Sequence, residues 1–476
     1  MSSSKSYKTI WATLGYLIGK EQETVVMIDT RHRDLVGIDD IAVYVPKLFI
    51  PMTGEFAASR GIDPGKLTKG IGIERMAIPD KHEDAATMAA MSLLGLMRRN
   101  DLNPKDIGKI YIGTESGVDE AKAIGTYVVG MLEMVYGQGS FEECSTVEFK
   151  SACIGATHAL ENLFYWSSVD DDRAGVVVAS DVARYQLRSS GEYTQGAGSV
   201  SLLVKRNPRL VALEGIFGVF TRDENDFFRP LGSKTAVVNG RHSNDCYLDA
   251  MEGAFNAYVK RALQRTIIKM AEDECATDHI EHLLFHIPYP RMVEYASSAI
   301  FRREWRHLSR WREIEAEIGK EPKPKDFTEP NDYAAAAANY DKKFSKASLF
   351  QRAYDAKVKE SAQISRQVGN IYTGSIYLGL ASLAEGQNIH SGERICFGSY
   401  GSGCSATVFS GIVQPQAATL PARNIWKILT ERRAVSLDEY EMLHQGRMAD
   451  SILQPSDEFA LMDIDGQGYR HYKYMR

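Results

Sequence analysis

One cysteine carries the clearest chemical signal in the sequence. Cys153 lies in the stretch EFKSACIGAT, residues 148–157, directly before a segment with apolar residues at helical spacing. The free N–H groups and partial positive charge at a helix N-terminus lower the pKa of a thiol and increase its thiolate fraction. A lone cysteine is more often a small buried hydrophobe. The prediction of a nucleophile therefore depends on other residues of the chain.

Two further motifs place an acid and a base at the ends of predicted strands. Glu115 follows the β-forming run at residues 109–112, and His286 ends a short apolar strand predicted over residues 280–287. Chemistry in α/β sheets usually lies at the carboxyl ends of strands, so His282, at the start of its strand, is the weaker candidate. A cysteine, a glutamate and a histidine at such positions form a constellation suited to covalent catalysis.

Composition excludes several classes of function. The chain has 476 residues, of which 44% are hydrophobic and 25% charged, as in ordinary globular proteins with a large core. A net charge of -6 provides no basic field for nucleic acid. Six cysteines without CxxC spacing predict neither a metal site nor a redox motif, and they indicate a reducing, cytoplasmic location. The apolar run at residues 10–18 is too short to span a bilayer, so no membrane association is expected.

The order of predicted elements indicates layers of strands and helices, that is, an α/β fold. Glu115 and His286 follow strands, whereas Cys153 and Asn370 precede helices, so the chemistry falls at corresponding points of two halves. This is an internal repeat of element order and not of residue identity. The predicted division is a 1–35 N-terminal extension, a first half over 36–215, a second half over 216–415 with a helical insertion at about 305–359, and a helix and hairpin over 416–476 that pack on the body.

Two glycine-rich stretches need a separate interpretation. Residues 195–199 and 398–403 have neither the P-loop lysine nor the GxGxxG spacing of a dinucleotide site. We interpret them as turns where the backbone approaches a catalytic pocket closely, with N–H groups that can stabilise an oxyanion.

The combined motifs resemble those of the 3-hydroxy-3-methylglutaryl-CoA synthases, a branch of the thiolase superfamily, and are most similar to the longer archaeal members. The resemblance runs from about Val36 to the C-terminus, and the order and spacing of six motifs make it specific. The six are GTES at 113–116, SACIGAT at 151–157, ASDVARY at 179–185, FHIPYP at 285–290, GNIYTGS at 369–375 and GSYGSG at 398–403.

The resemblance implies a thiolase-like αβαβα fold of two pseudo-repeated halves and a Claisen-type condensation. Acetyl-CoA, acetoacetyl-CoA and water would give 3-hydroxy-3-methylglutaryl-CoA and CoA, a step of the mevalonate pathway to isoprenoids. Cys153 would carry the acetyl group as a thioester, Glu115 would remove a proton from its methyl group, and His286 would orient the acetoacetyl ketone. The CoA thioesters are substrates, and neither a metal nor another cofactor is expected.

The same resemblance implies a set of substrate-binding residues. Asn370 would hold a carbonyl of the second substrate, and Tyr372 and Ser375 would line the pocket. The turn at Ser402 and Gly403 would supply a backbone N–H group for the thioester oxyanion, together with the N–H of Cys153. The resemblance further implies a homodimer or tetramer, and a complex with an acetoacetyl-CoA thiolase and a small bridging protein.

Three other hypotheses about the function share part of the pattern. A β-branching synthase of polyketide assembly would use the same pocket on a carrier-bound acetoacetyl group, and the motifs do not separate the two. A ketoacyl synthase III also places a cysteine at a helix start, but it has no use for the Glu115 motif. A non-catalytic scaffold within a thiolase assembly would have a decayed site, whereas all three catalytic residue types are present here.

Overall fold

The computed structural model describes residues 35–169, 173–233 and 235–476. The predicted N-terminal extension, except for its last residue, lies outside these ranges. Across the described ranges, no helix combines the length and the apolar character needed to cross a membrane.

The elements follow the alternation that the sequence predicts. The strands are β1 (Val36–Tyr44), β2 (Leu48–Pro51), β3 (Arg75–Ile78), β4 (Ile107–Gly113), β5 (Ser145–Phe149), β6 (Ala174–Val182), β7 (Ala197–Arg206), β8 (Val211–Thr221), β9 (Phe227–Phe228), β10 (Val237–Val238), β11 (His282–Phe285), β12 (Arg394–Gly401), β13 (Ser405–Val413), β14 (Arg433–Ala434), β15 (Glu458–Ile464) and β16 (Arg470–Met475). The α-helices are α1 (Glu55–Ser59), α2 (Ala85–Asn100), α3 (Ile124–Tyr136), α4 (Gly155–Val169), α5 (Gly240–Gln264), α6 (Arg291–Trp305), α7 (Trp311–Ile318), α8 (Pro330–Phe344), α9 (Ser348–Lys357), α10 (Ser365–Val368), α11 (Ser375–Glu385), α12 (Ile425–Thr430) and α13 (Leu437–His444).

The main sheet contains the predicted repeat. Its strand order is β11-β12-β13-β8-β1-β7-β6-β4-β5. From the middle outwards, β1 pairs antiparallel with β7, β7 antiparallel with β6, and β6 parallel with β4. In the other direction, β8 pairs antiparallel with β13, β13 antiparallel with β12, and β12 parallel with β11. Between the described strands, β1 and β8 join the two half-sheets through the register pairs Gly37↔Ala212 and Ile38↔Val211. The internal repeat is thus confirmed at the level of topology.

Alternating side chains along the strands bury both faces of each half-sheet. On β6, Val177 and Ala179 pack against α4, whereas Val176 and Val178 pack on the opposite face against α2 and α3. On β12, Phe397 packs with the central helices α4 and α11, and Cys396 packs on the other face with α5 and α6. Period-two burial on both faces is what strands between two helix layers require. The layers follow the thiolase-like order αβαβα.

The central helix layer positions the chemistry. Helix α4 begins at Gly155, two residues after Cys153, and α11 begins at Ser375, five residues after Asn370. Strand β4 ends at Gly113 and β11 ends at Phe285, so the predicted strand-end positions of the glutamate and the histidine are confirmed. Equivalent strands and equivalent helices of the two halves thus supply the four residues.

Two helix predictions needed correction. The sequence pattern predicts a long helix from Met251 to Met270, but the helix spans Gly240–Gln264, because the Asn239 side chain caps its start by accepting from the His242 N–H at 3.4 Å. The predicted helical pair of the insertion contains three helices, α7, α8 and α9. Their aromatic side chains pack with the end of α6 in one buried group comprising Trp305, Trp311, Tyr340, Phe344 and Phe350.

The C-terminal region agrees with its prediction. Strands β15 and β16 pair antiparallel as a hairpin, and Asp465 stands in the turn between them, as predicted. Phe459 of β15 is buried in the core formed by α2 and α3, so the hairpin packs on the body of the protein.

The close approach of β4 to α4 allows a stability test. A Cβ atom added at Gly113 would lie 2.3 Å from Ala156 N and 2.5 Å from Ala156 Cα. Gly113→Ala must therefore push the strand away from the helix that follows Cys153. We expect a loss of about 1–3 kcal/mol in the free energy of unfolding, measured by urea denaturation. Gly95→Ala, in α2 with nothing within 4 Å, is the matched control and should be neutral or stabilising by up to about 1 kcal/mol. Equal stability of the two variants would contradict this packing argument.

Candidate active site

Cys153 and Glu115 form a buried pair. The Cys153 Sγ donates to Glu115 Oε1 at 2.8 Å, and the two residues are only 6% and 8% exposed. Cys153 packs in a small cluster with Ala183, Tyr185 and Tyr372. The sequence predicted both residues as catalytic but on separate elements. The fold places them in direct contact, because β4 and α4 pack side by side.

The predicted lowering of the Cys153 pKa is wrong. Burial, followed by the charge of Glu115, raises the pKa of this thiol well above its usual value. The helix start does not offset this effect, because its first N–H groups already have acceptors. The Gly155 N–H donates to Ala152 O at 3.3 Å, and the Ala156 N–H donates to Thr373 Oγ1 at 2.7 Å. The sulfur of Cys153 is therefore protonated in the resting site, and the thiol donates a hydrogen bond to the carboxyl group of Glu115.

Glu115 has the protonation behaviour expected of a general base near neutrality. Burial, and next the charge of Asp181, raise its pKa to about 8. The guanidinium of Arg229 opposes this shift, and its Nη2 donates to the Glu115 carbonyl oxygen. A carboxylate in such an environment is a much stronger base than one in water.

Asp181 holds the loop that carries Glu115. Its Oδ1 accepts from the Glu115 N–H at 2.8 Å, the Ser116 hydroxyl at 2.8 Å and the Thr114 hydroxyl at 3.0 Å. Its Oδ2 accepts from the Thr373 N–H at 3.3 Å. Burial raises the pKa of Asp181 to about 7. One carboxyl group thus ties the loop after β4 to the segment before α11.

His286 enters from the other half as a neutral base. Burial lowers its pKa to about 3, so it carries no charge near neutral pH. The backbone is fixed on both sides, since its N–H donates to Gly398 O at 2.8 Å and its C=O accepts from the Tyr247 hydroxyl at 2.8 Å. Within the described part of the chain, its buried Nδ1 has no hydrogen-bond partner. An unpaired buried nitrogen costs about 1–3 kcal/mol until a ligand group satisfies it.

Asn370 presents a donor, and Ser375 supports it from behind. Asn370 Oδ1 accepts from the Tyr372 N–H at 2.8 Å and from the Ser375 hydroxyl at 2.9 Å. Both acceptor positions of the amide oxygen are thus occupied, which leaves Nδ2 for a group in the cavity. Tyr372 lines the cavity as predicted, with a backbone φ of 45°. Ser375 is fully buried and is not among the lining residues, so it differs from its predicted place.

The turn at Ser402 and Gly403 agrees with its prediction only in part. Ser402 lines the cavity. The Gly403 N–H, however, donates to Asp226 Oδ1 at 2.8 Å, so it does not face an oxyanion. Asp226 also accepts from the Tyr400 hydroxyl at 2.8 Å and thereby holds the ring of Tyr400 6.5 Å from that of His286. The Cys153 N–H remains the candidate donor for the oxyanion.

One cavity of about 350 Å³ is lined by Cys153, His286 and Asn370, whereas Glu115 lines a neighbouring cavity and contacts the Cys153 sulfur from there. The first cavity opens between the halves of the repeat and is lined largely by apolar and aromatic side chains with a few polar groups, as is typical of a small-molecule site. Its lining includes Cys153, Tyr185, Phe227, Tyr247, His286, Tyr289, Asn370, Tyr372, Tyr400 and Ser402.

Several functional residues escaped the sequence reasoning. Asp181 stands at the end of β6, the neighbour of β4. The strand-end rule that identified Glu115 could therefore have identified Asp181 as well. Asp226 lies in the loop between β8 and β9, Arg229 directly follows β9, and neither carries a local signal. His282, the weaker histidine, pairs with Glu393 at 3.0 Å at the far end of its strand and does not line the cavity.

A thiolase-like fold in which a buried cysteine contacts a glutamate and shares a cavity with a histidine defines an acyl-transferring condensing enzyme. Two family models match, described as hydroxymethylglutaryl-coenzyme A synthase N terminal over residues 32–208 and C terminal over residues 211–452. The chain belongs to the hydroxymethylglutaryl-CoA synthase family.

Individual relatives agree with the family models. The chain is 33% identical over 454 residues to a hydroxymethylglutaryl-CoA synthase of Haloferax volcanii, covering 92% of this chain and 99% of the relative. It is 33% identical over 410 residues to that of Enterococcus faecalis, covering 86% and 91%. A solved structure described as MvaS in complex with 3-hydroxy-3-methylglutaryl coenzyme A has a TM-score of 0.79 and 32% identity, covering 93% of this chain and all of that one.

The raised pKa of Glu115 predicts a pH-dependent stability. Below the pKa of the unfolded state, near 4.5, the Glu115 carboxyl is protonated in both the folded and the unfolded chain. Its stabilising contribution to the folded state is lost as pH rises through the folded-state pKa of about 8. Because glutamine does not titrate, Glu115→Gln should gain stability relative to the parent chain over this window, by at least about 1 kcal/mol at pH 8. Urea midpoints of both chains at several pH values check this, since other groups cancel in the difference. A difference that does not change with pH would contradict the burial argument.

Proposed function

We propose that this chain condenses acetyl-CoA with acetoacetyl-CoA and water to give 3-hydroxy-3-methylglutaryl-CoA and CoA. The observation that carries the proposal is the 2.8 Å contact between Cys153 Sγ and Glu115 Oε1 at a cavity that His286 and Asn370 also line. The reaction needs a nucleophile, a base for a carbon acid and a group that polarises a ketone. Cys153 and His286 line this cavity and suit the first and third tasks, and Glu115, in contact with the Cys153 sulfur, suits the second.

Acetyl transfer comes first. The Cys153 sulfur attacks the thioester carbonyl of acetyl-CoA, the bond to the CoA sulfur breaks, and the thiol proton passes to the departing CoA. Glu115 is the nearest proton acceptor to the sulfur, at 2.8 Å. Exchange of one thioester for another is close to balanced in energy, so a buried thiol with a neighbouring carboxylate suffices.

Carbanion formation is the second task of Glu115. Once Cys153 carries an acetyl group, the methyl carbon is two bonds from Sγ and therefore within reach of the same carboxylate. Glu115 removes a methyl proton, and the developing enolate oxygen needs a hydrogen-bond donor in a site without water. The raised pKa of Glu115 matches the carboxylate to this weak acid better than an exposed one.

The second substrate meets residues from the other half of the repeat. The ketone of acetoacetyl-CoA accepts a hydrogen bond from the ring N–H of His286, whose imidazole is neutral because burial lowers its pKa to about 3. The free amide of Asn370 holds a substrate carbonyl. Attack of the enolate on the ketone, with the proton held by Glu115 returned to the new alkoxide oxygen, gives the tertiary alcohol. Water then hydrolyses the thioester at Cys153, which restores the thiol and releases the product as a carboxylic acid.

The remaining assignments follow from the family resemblance. We propose acetyl-CoA and acetoacetyl-CoA as ligands, no dissociable cofactor, and a role in isoprenoid formation through mevalonate. A homodimer or tetramer, a complex with an acetoacetyl-CoA thiolase and a small bridging protein, and a cytoplasmic location stay predictions.

The decisive experiment uses labelled acetyl-CoA. The chain should form a stable acetyl-enzyme and, after acetoacetyl-CoA is added, release CoA and a product with the mass of 3-hydroxy-3-methylglutaryl-CoA. Cys153→Ser should do neither, because a serine hydroxyl is far harder to ionise than a thiol. Cys404→Ser is the control and should retain labelling. An acetyl group that still attaches to the Cys153→Ser chain, or product formed only from a carrier-bound acetoacetyl group, would overturn the proposal.

Glu115→Gln separates the two tasks of the carboxylate. We expect acetyl labelling to fall by no more than about tenfold, whereas condensation should fall by roughly 10²–10⁴-fold, the usual contribution of a general base. Rapid-quench measurement of each step gives the two rates. An equal loss in both steps would mean that Glu115 acts mainly on the thiol.

His286→Ala provides the comparison from the other half. It should leave labelling of Cys153 intact and weaken the use of acetoacetyl-CoA, because the lost hydrogen bond serves only the ketone. The rate of acetyl labelling, measured against pH, should show no ionisation near the ordinary histidine value of about 6.5 in the parent chain or in His286→Ala. The reason is that the buried ring of His286 titrates far lower.

A further inference from the structure

A second cluster of reactive side chains lies beside the active site and takes no part in the proposed reaction. Glu224 stands in the loop after β8, and His242 and Cys246 stand one turn apart on the first turns of α5. The i, i+4 spacing places the imidazole and the thiol on one face of the helix. Carboxylate, imidazole and thiolate are the three ligand types that zinc sites use.

The distances between the ligand atoms fit a tetrahedral centre. His242 Nε2 lies 3.6 Å from Cys246 Sγ and 3.2 Å from Glu224 Oε2. Zinc–sulfur bonds of about 2.3 Å and zinc–nitrogen or zinc–oxygen bonds of about 2.0–2.1 Å at tetrahedral angles require separations of roughly 3.5 Å and roughly 3.3 Å. Two of the three separations thus match a tetrahedral centre, and the Glu224 and Cys246 ligand atoms lie within 4.8 Å of each other.

The Cys246 sulfur hydrogen-bonds to the side chains of Arg222 and Cys404, contacts that a metal ion would replace. Arg222 Nε binds the other carboxylate oxygen of Glu224, Oε1, at 2.8 Å and so orients Oε2 towards the histidine. His242 and Glu224 are partly exposed, which gives an ion a route from solvent, whereas Cys246 is buried. Three protein ligands with one side open is the usual arrangement where water or a further ligand completes the shell.

The other group of metal-ligating side chains in the described ranges is less suitable. His82, Glu83 and Glu458 are all buried. Glu83 already accepts from the Tyr44 hydroxyl at 2.5 Å, and Glu458 is paired with Lys47 Nζ at 2.8 Å. An ion there would have to displace a hydroxyl and an ammonium group, so the half-open cluster is the better site.

We propose that Glu224, His242 and Cys246 bind one divalent cation of the zinc class. Binding releases the thiol proton of Cys246 to solvent, and the neutral imidazole and the carboxylate complete the protein ligands. The site joins the two ends of the β9–β10 hairpin, whose Phe227 contacts the rings of Tyr185 and Tyr372 next to the nucleophile. A bound cation would therefore link the two ends of the β9–β10 hairpin, which forms one wall of the catalytic cavity.

The test uses the full chain, stripped of metal and kept reduced with a non-chelating phosphine. Equilibrium dialysis against Zn²⁺ should give one ion per chain, and Co²⁺ should produce a thiolate charge-transfer band and the intense visible bands of a tetrahedral ion. Apparent affinity should increase with pH, because the thiol must lose its proton. Hydrogen exchange at the amides of β9 and β10 should slow when Zn²⁺ is bound. Failure of the parent chain to bind either ion overturns the proposal.

Variants assign the binding to this cluster. His242→Asn, at a partly exposed position, and Cys246→Ser should each weaken Zn²⁺ binding by more than about tenfold, at least the effect of losing an outer-shell partner. Cys396→Ser is the matched control, because this buried thiol lies on β12 outside the cluster, and it should bind normally. Cys153→Ser should also retain the ion. Unchanged affinity in His242→Asn, or loss of the cobalt charge-transfer band in Cys153→Ser, would overturn the assignment.

Discussion

The active site depends on one buried carboxyl group. Asp181 receives hydrogen bonds from the backbone and side chains of the loop that carries Glu115, and from the Thr373 N–H of the segment before α11. Thr373 in turn accepts from the Ala156 N–H at the start of α4, beside Cys153. A buried polar network of this kind is stabilising only when every member has a partner. The same bonds that satisfy Asp181 therefore fix the distance between base and nucleophile.

Burial sets the reactivity of all three catalytic groups, and it acts in different directions. It raises the pKa values of Cys153 and Glu115 and lowers that of His286. In each case the uncharged form is favoured, because a charge is costly to hold in a site with little water. The result is a resting site of low charge, in which a thiol, a carboxyl group near its titration point and a neutral imidazole await a neutral thioester. Such a site sacrifices stability for reactivity.

The repeated topology explains why neither half would suffice alone. In each half, a titratable side chain follows the end of one strand and a second functional residue precedes one central helix. In the first half these residues are Glu115 and Cys153, and in the second half they are His286 and Asn370. The first pair handles the acetyl group and the second pair is placed for the other substrate. Since α4 and α11 pack together between the half-sheets, two equivalent corners meet at one cavity.

The amino-acid sequence by itself determined which residue types stand at strand ends and helix starts, because the hydrophobic periods of strands and helices and the position of glycines are local properties. Glu115, Cys153 and His286 were found in this way, as was the repeat of the elements, whereas the role of Asn370 was implied by the family resemblance. Only the tertiary structure decided that the glutamate contacts the cysteine, that the thiol pKa is raised and not lowered, and that the Gly403 N–H is already used by a carboxylate. These outcomes depend on desolvation and on hydrogen-bond partners from distant segments, and neither is encoded in local spacing.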